Sequence, residues 1–301
     1  MAGILVCGLT NLETTVRVDG FPVGYFPVRY VENGVRATAS GVGFNVSRAL
    51  THLGNEVSFL SIVGDDAAGA VCRAAIRAAG IDDANLLDIP GGTAHSAILY
   101  DPDGRRQIHL DLRKMQESAY PAARFAAAVR DAGLAVLCNI NFARPLLTEA
   151  RRLGKLIATD LHALASLDDA YNRDWLEHAD IVFLSHEHLP CEPEEFGGEL
   201  LARFPARIAV IGLGSDGALL LERGAPPRRF PAVTPRPTVN TIGAGDALFA
   251  CFLDGWLRFG DASKALRRAV FYAGWKIGGN GGADGLLSAA DLDARGREGG
   301  F

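Results

Sequence analysis

The sequence predicts a three-layer α/β domain, with helices on both faces of a mostly parallel central sheet. Three observations predict it. Short continuous apolar runs recur along the chain, as in strands buried on both faces. Between them lie segments with helical periodicity, so that strand and helix alternate. Two stretches in the first third of the chain break this rhythm with apolar–polar alternation, the mark of strands with one face in solvent.

Residues 3–9, Gly-Ile-Leu-Val-Cys-Gly-Leu, read as the first buried strand. Asn11 and Glu13 follow directly, beyond a strand's carboxyl end, where open α/β sheets bind ligands. Thr15–Val18 alternates. So does Ala94–Arg113, around the hairpin-turn signal Asp101-Pro102-Asp103-Gly104. Ser40-Gly41-Val42-Gly43-Phe44-Asn45 is a glycine-rich turn ahead of a helix over Val46–Leu53, which Gly54 closes. Val57–Val63 is the next strand. Asp65 and Asp66 then precede a helix over Ala70–Ala79. They can be read as metal ligands, but a capping role for Asp66 at the positive end of the helix dipole accounts for them better.

Phe125–Arg130 reads as helix, Leu134–Leu137 as strand with Asn139 and Asn141 past its end, and Leu146–Leu153 as helix. Leu156–Thr159 is a strand ending in Asp160-Leu161-His162. Ala179–Leu184 is another, followed by Ser185-His186-Glu187-His188. A zinc cluster of His186, His188 and Cys191 lacks a nearby fourth ligand. Arg207–Leu213 is a strand running into Gly214-Ser215-Asp216-Gly217. The spacing of Gly212, Gly214 and Gly217 imitates a dinucleotide fingerprint, but Ala218–Glu222 looks like a hairpin strand, where that fingerprint needs a helix. Asp261–Lys276 reads as helix, and Gly278–Gly285 as a glycine-rich loop.

Of the 301 residues, 49% are apolar and 22% charged, an ordinary globular balance. The net charge of −5 and the absence of a basic block argue against nucleic acid as a partner. No apolar run is long enough to span a bilayer. The start has no basic region ahead of its apolar run, so it reads as a strand and not as a signal peptide. The five scattered cysteines form no C-x-x-C pair, as expected for reduced thiols in the cytoplasm.

The most informative stretch is Thr238–Cys251. Pro235 and Pro237 precede it, then Gly243-Ala244-Gly245-Asp246 leads into a helix from Ala247 to Leu257. Glycines let a ligand approach the backbone. The first N–H groups of a helix lack internal partners, and the dipole makes that end positive, which suits phosphate. Asp246 would repel phosphate. It makes sense as a base that takes a proton from an attacking hydroxyl while the N–H groups hold the transferring phosphoryl group. Alone, the motif would equally suit a turn with Asp246 as a plain cap.

Thr241-Ile242-Gly243-Ala244-Gly245-Asp246-Ala247-Leu248-Phe249 resembles the C-terminal signature of the ribokinase-like (PfkB) carbohydrate and nucleoside kinases. The resemblance implies that Asp246 is the catalytic base and that Gly243, Ala244 and Gly245 form its anion hole. Gly41, Gly43 and Asn45 match the family's N-terminal signature, with Ser40 and Val42 as departures. Asn11, Glu13, Gly41, Gly43, Asn45 and Asn141 are then implied to hold the acceptor. Glu13 stands where ribokinases carry the shorter aspartate, so pocket depth differs.

By the same resemblance Gly212, Gly214, Gly217 and Ser185 bind the nucleotide, and Tyr272 lies on the face that seats adenine. Asp160 belongs to the phosphate and magnesium water network. Ser185 and His188 occupy the positions of the family's magnesium-ordering Asn and Glu, and Glu187, offset by one, substitutes. Asn240 replaces an aspartate that often helps hold a monovalent cation, which puts potassium activation in question.

Family members build a small β lid from the two alternating regions, often a dimer contact. The implied layout is a kinase core of residues 1–10, 38–92 and 114–301, with a lid of 11–37 and 93–113. The aromatic stretch Phe21–Tyr30 either lines the pocket or serves the lid core or a dimer contact. The expected activity is magnesium-dependent transfer of the ATP γ-phosphoryl group to a hydroxymethyl group of a small sugar, by a homodimer paired through the lid. A nucleoside kinase is the alternative, since Phe21–Tyr30 and Phe44 could stack a base. A non-catalytic ligand-binding homologue stands behind both.

Overall fold

A computed structural model describes residues 3–279, 281–282 and 284–299. Of the glycine-rich stretch Gly278–Gly285, Asn280 and Ala283 lie outside the described residues. The chain opens with β1 (Gly3–Cys7) in the main sheet and crosses through three residues to β2 (Asn11–Arg17) of a second sheet. β3 (Val35–Ser40) returns it to α1 (Val42–His52). There follow β4 (Val57–Gly64), α2 (Ala67–Ala78) and β5 (Leu86–Ile89), then β6 (His95–Tyr100) and β7 (Arg106–Asp111).

The remainder alternates: α3 (Ala122–Ala128), β8 (Ala132–Leu137), α4 (Arg144–Arg152), β9 (Leu156–Ala163), α5 (Arg173–His178), β10 (Ile181–Ser185), α6 (Pro193–Arg203) and β11 (Ile208–Gly212). The hairpin β12 (Ala218–Glu222) and β13 (Arg228–Phe230) precedes α7 (Ala244–Phe259), α8 (Ala262–Lys276) and α9 (Ala289–Gly299).

The main sheet has the order β13-β12-β11-β10-β9-β8-β1-β4-β5, and only β12 runs against the other strands, pairing antiparallel with β11 and β13. Strand alternation separates two cores. Ile4 and Val6 of β1 face α1, α7 and α8, while Leu5 and Cys7 face α3–α6. Strands covered on both sides need no polar face, which is why their sequences are mostly apolar. β12 pairs antiparallel with β11, so no helix follows Gly212-x-Gly214-x-x-Gly217.

The second sheet has the order β3-β2-β6-β7. β2 carries the less usual pattern: Asn11, Glu13 and Thr15 are its buried residues and Leu12, Thr14 and Val16 its half-buried ones. A polar face turned inward is costly unless it is hydrogen-bonded or meets a ligand. The segment between β2 and β3 leaves Tyr25 93% and Tyr30 96% exposed, so these rings serve neither a pocket nor a lid core.

α7 is the central helix, buried from Ala247 to Gly255. Asp254, fully buried in it, accepts hydrogen bonds from Arg268 (2.6 Å), Arg258 (2.8 Å) and Asn55 (2.9 Å), which ties α7 to α8 and to the end of α1. Among the described residues no helix is long and apolar enough to cross a membrane.

Asp66 caps α2: its carboxylate accepts from the Gly69 N–H (2.8 Å) and from the Thr93 N–H (2.9 Å) and hydroxyl (2.6 Å). The Thr93 bonds, followed by that from Gly69, hold its pKa below the ordinary aspartate value. Asp66→Ala is therefore expected to cost about 0.5–2 kcal/mol in denaturant unfolding while leaving turnover intact. Lost turnover with unchanged stability would revive the metal-ligand reading.

Candidate active site

In open α/β sheets ligands bind at the carboxyl ends of the strands, where the strand order reverses. Here that point lies between β1 and β8, whose neighbours lead away in opposite directions. A cavity of about 340 Å³ lined by Leu156, Ile181 and Ile208 is at the wrong end, since these residues begin β9, β10 and β11.

Close backbone contacts build the site. A Cβ on Gly43 would stand 2.4 Å from the Gly8 carbonyl carbon, and one on Gly41 2.5 Å from the Leu9 oxygen and 2.9 Å from Asn11 Oδ1. Only glycines let the start of α1 press against the end of β1. Gly41 is the N-cap of α1, so the helix begins at Val42, earlier than the expected Val46, and Asn45 lies inside its first turn. From there Asn45 Nδ2 donates to Asp246 Oδ2 (2.8 Å) and to Ser40 Oγ (3.3 Å).

Gly243 is left-handed (φ 75°) and caps α7, and a Cβ on it would fall 1.9 Å from the Gly282 oxygen. Gly282 in turn abuts Asn45 and Ser40. Three segments far apart in sequence thus converge on Asp246, the third residue of α7. Gly245, one residue earlier, is exposed, and a Cβ on it would meet nothing within 4 Å.

Glu13 joins the same group. Burial raises its pKa, partly opposed by a hydrogen bond from Ser40, and the Asp246 carboxylate raises it further while Lys276 opposes. Burial also raises Asp246, to about 6; Asn45 opposes the shift, Asp160 adds to it, and His162 and Lys276 oppose it. Asn11 is buried beside Ser96 Oγ (2.7 Å). Among the described residues, Glu13 Oε1 and Asn45 Oδ1 are buried acceptors without a hydrogen-bond partner.

Asp160, buried in β9, accepts from the His162 N–H two residues on (2.9 Å) and is near enough to act on Asp246. Ser185 and Gly212 are register partners at the ends of β10 and β11. Gly214 (φ 60°) and Gly217 (φ 100°) follow, though Gly217 has a packing reason for being glycine: its Cβ would sit 2.0 Å from the Phe230 oxygen. Glu187 is exposed, and its N–H donates to Ser185 Oγ (3.2 Å).

Two residues named from the sequence do not join. The Asn141 amide donates to the Gln116 oxygen (3.0 Å) and its Oδ1 accepts from Arg144 (2.9 Å), so its polar atoms are already used. Tyr272 is fully buried in the core and cannot reach an adenine.

Lys276 is the residue that sequence reasoning missed. It ends α8 fully buried, and its Nζ donates to the Ile242 carbonyl. The signal was present: Ala265, Ala269, Tyr272 and Lys276 form one buried stripe at helical spacing. A lysine on such a stripe is unusual, since buried lysines nearly always have partners.

The family model described as pfkB family carbohydrate kinase matches residues 1–289. An acarbose 7(IV)-phosphotransferase of Actinoplanes sp. is 32% identical over 259 residues, covering 84% of this chain and 85% of its own. An ATP-dependent ribose-1-phosphate kinase of Halopiger xanaduensis is 29% identical over 302 residues, 98% and 97% of the two chains. Among solved structures, a microbiome-derived acarbose kinase, Mak1, superimposes with a TM-score of 0.89 at 27% identity over 98% of each chain. A ribokinase from Thermotoga maritima shares the fold, with a TM-score of 0.80 at 16% identity.

Proposed function

The chain belongs to the pfkB family of carbohydrate kinases, and we propose that it transfers the γ-phosphoryl group of ATP to a hydroxymethyl group of a sugar or sugar derivative, with Asp246 as the base. Such kinases are phosphotransferases with an alcohol as acceptor. The observation that carries the sugar reading is the pair of buried, unpartnered acceptors, Glu13 Oε1 and Asn45 Oδ1, next to Asp246. A polyol brings hydroxyl donors to both, which removes the cost of leaving them unpaired. The exposed aromatic segment near Tyr25 and Tyr30 is not placed to stack a base, which weakens the nucleoside alternative.

The proposed chemistry is compact. Asp246 takes the proton of the acceptor hydroxyl as its oxygen attacks the γ-phosphorus. The bond from that phosphorus to the bridging oxygen breaks, and ADP leaves. The N–H groups of the first turn of α7 hold the equatorial oxygens, and positioning with electrostatics supplies most of the rate. Asn45 orients the Asp246 carboxylate; Asn11, Glu13 and Ser40 hold the acceptor under the second sheet. Ser185, Gly212 and Gly214 form the nucleotide side.

Among the described residues no group of three or more His, Cys, Asp or Glu side chains could hold a metal alone. That donor set suits magnesium, which keeps several waters and is held by one or two carboxylates together with substrate phosphates. Asp160 and, farther out, Glu187 would hold it through water, and it would neutralise charge on the phosphates. Two further readings belong here. The apolar residues Ile108 and Leu110 on exposed β7 support a homodimer through this sheet. The five unpaired cysteines support a reducing, cytoplasmic setting.

The test is a coupled ADP-release assay over hexoses, pentoses, acarbose, ribose 1-phosphate and nucleosides. Turnover is expected with a member of the sugar set and to be at least about 10-fold weaker, in kcat/KM, with any nucleoside. A nucleoside as best acceptor would reverse the assignment.

A further inference from the structure

We propose that the Lys276 ammonium is a built-in cation that holds the phosphoryl-binding loop, in the place where a potassium ion would be expected, so that turnover is independent of monovalent salt. The inference rests on the kinase reading above only for its rate arm.

Lys276 is 0% exposed, and its Nζ donates to the Ile242 carbonyl. That carbonyl belongs to the same peptide unit as the Gly243 N–H. Fixing the oxygen on an ammonium therefore fixes the plane from which the left-handed Gly243 turns into α7, whose first N–H groups have no partner within the helix. The ammonium also has a charge role. The Asp246, Asp284 and Glu13 carboxylates act on it favourably, and Arg236 alone among its strong neighbours acts against it. Burying a lone ammonium is expensive, and these carboxylates offset that cost. Burial lowers its pKa to about 8, which leaves it mostly charged at neutral pH.

While Lys276 holds the Ile242 carbonyl, a potassium ion does not fit the same loop. It would need carboxylate or carbonyl oxygens. Position 240 carries the neutral Asn240, and its Oδ1 accepts the Ile242 N–H at 3.1 Å. The Ile242 carbonyl is engaged by Lys276. The fixed positive charge is thus supplied by the chain itself, and Lys276 acts as a positioning residue.

The experiment measures initial rate and thermal unfolding midpoint, in potassium chloride and in choline chloride at equal ionic strength, for the full chain and for Lys276→Ala. The unmodified protein should give the same rate, within about twofold, and the same midpoint in both salts. In choline chloride Lys276→Ala should lose about tenfold or more in kcat with the KM for ATP little changed, and its midpoint should fall. Potassium or ammonium chloride should restore both; choline should not.

Activation of the unmodified protein by potassium, or full kcat of Lys276→Ala in choline chloride, would overturn the proposal. If the variant does not fold, the salt response of the unmodified protein decides. Absence of turnover with every acceptor would sink the kinase reading instead, and the potassium-dependent midpoint of the variant would still decide this one.

Discussion

Asp246→Asn is expected to lower kcat by about 10²–10⁴-fold while ATP affinity changes little, because a general base acts in the transition state and not in nucleotide binding. Its geometry favours the substitution as a clean test. Asn45 Nδ2 donates to Asp246 Oδ2 at 2.8 Å, and an amide oxygen can accept the same bond. The pH profile gives a second readout. With a pKa raised to about 6, Asp246 is ionised and able to accept a proton only above that value. In the unmodified enzyme kcat/KM should therefore rise through about pH 6, and in the variant that limb should vanish.

Stability should move the opposite way to activity. The fold raises the Asp246 pKa, so it disfavours the ionised form. That contribution to stability is present below the ordinary aspartate value and is lost as pH rises through about 6. The asparagine does not ionise. Its melting temperature should match that of the unmodified protein near pH 4 and exceed it above pH 6. The attraction of Lys276 is already part of that raised value, so the gain above pH 6 stands as the melting-temperature difference. An active variant, or one that is less stable at pH 8 than at pH 5 relative to the unmodified protein, would remove Asp246 from this role.

The parts of this molecule that were legible in the sequence share one property: a local rule determines them. Buried parallel strands such as Val57–Val63 are apolar because both faces are covered. Asp66 is recognisable as a cap because capping needs only the next turn of chain. The glycine turn at Asp246 is recognisable because close backbone approach restricts the residue type.

What was not legible depends on which distant segments meet. Asn11 and Glu13 read as residues at a strand end. They lie within β2, because the chain needs only Gly8, Leu9 and Thr10 to cross between sheets. The role expected of Asn141 depended on its neighbours, and Gln116 and Arg144, brought in by other elements, take its polar atoms. Tyr272 and Lys276 sit four residues apart on one face of α8. The helix turns that face into the core, so the tyrosine leaves the nucleotide side and the lysine arrives behind the catalytic loop.

The two glycines of the turn into α7 separate folding from the proposed phosphoryl binding. Gly243 needs to be glycine for the fold: φ is 75°, and a Cβ would fall 1.9 Å from the backbone oxygen of Gly282. Gly243→Ala is therefore expected to lose stability and activity together. Gly245 has no such reason. It occupies the first turn of α7, its added Cβ would meet nothing within 4 Å, and it lacks a positive φ. By helix propensity alone, alanine there should stabilise by about 0.5–1 kcal/mol. The space above Gly245 is explained if the transferred phosphoryl group comes down onto its N–H, since a methyl group would hold that group away. Gly245→Ala should then melt at the same temperature or higher and lose about 10²–10³-fold in kcat, as for removal of an oxyanion-hole donor. A stable Gly245→Ala protein with undiminished turnover would mean that the phosphoryl group passes elsewhere, and the N-terminus of α7 would lose its assigned role.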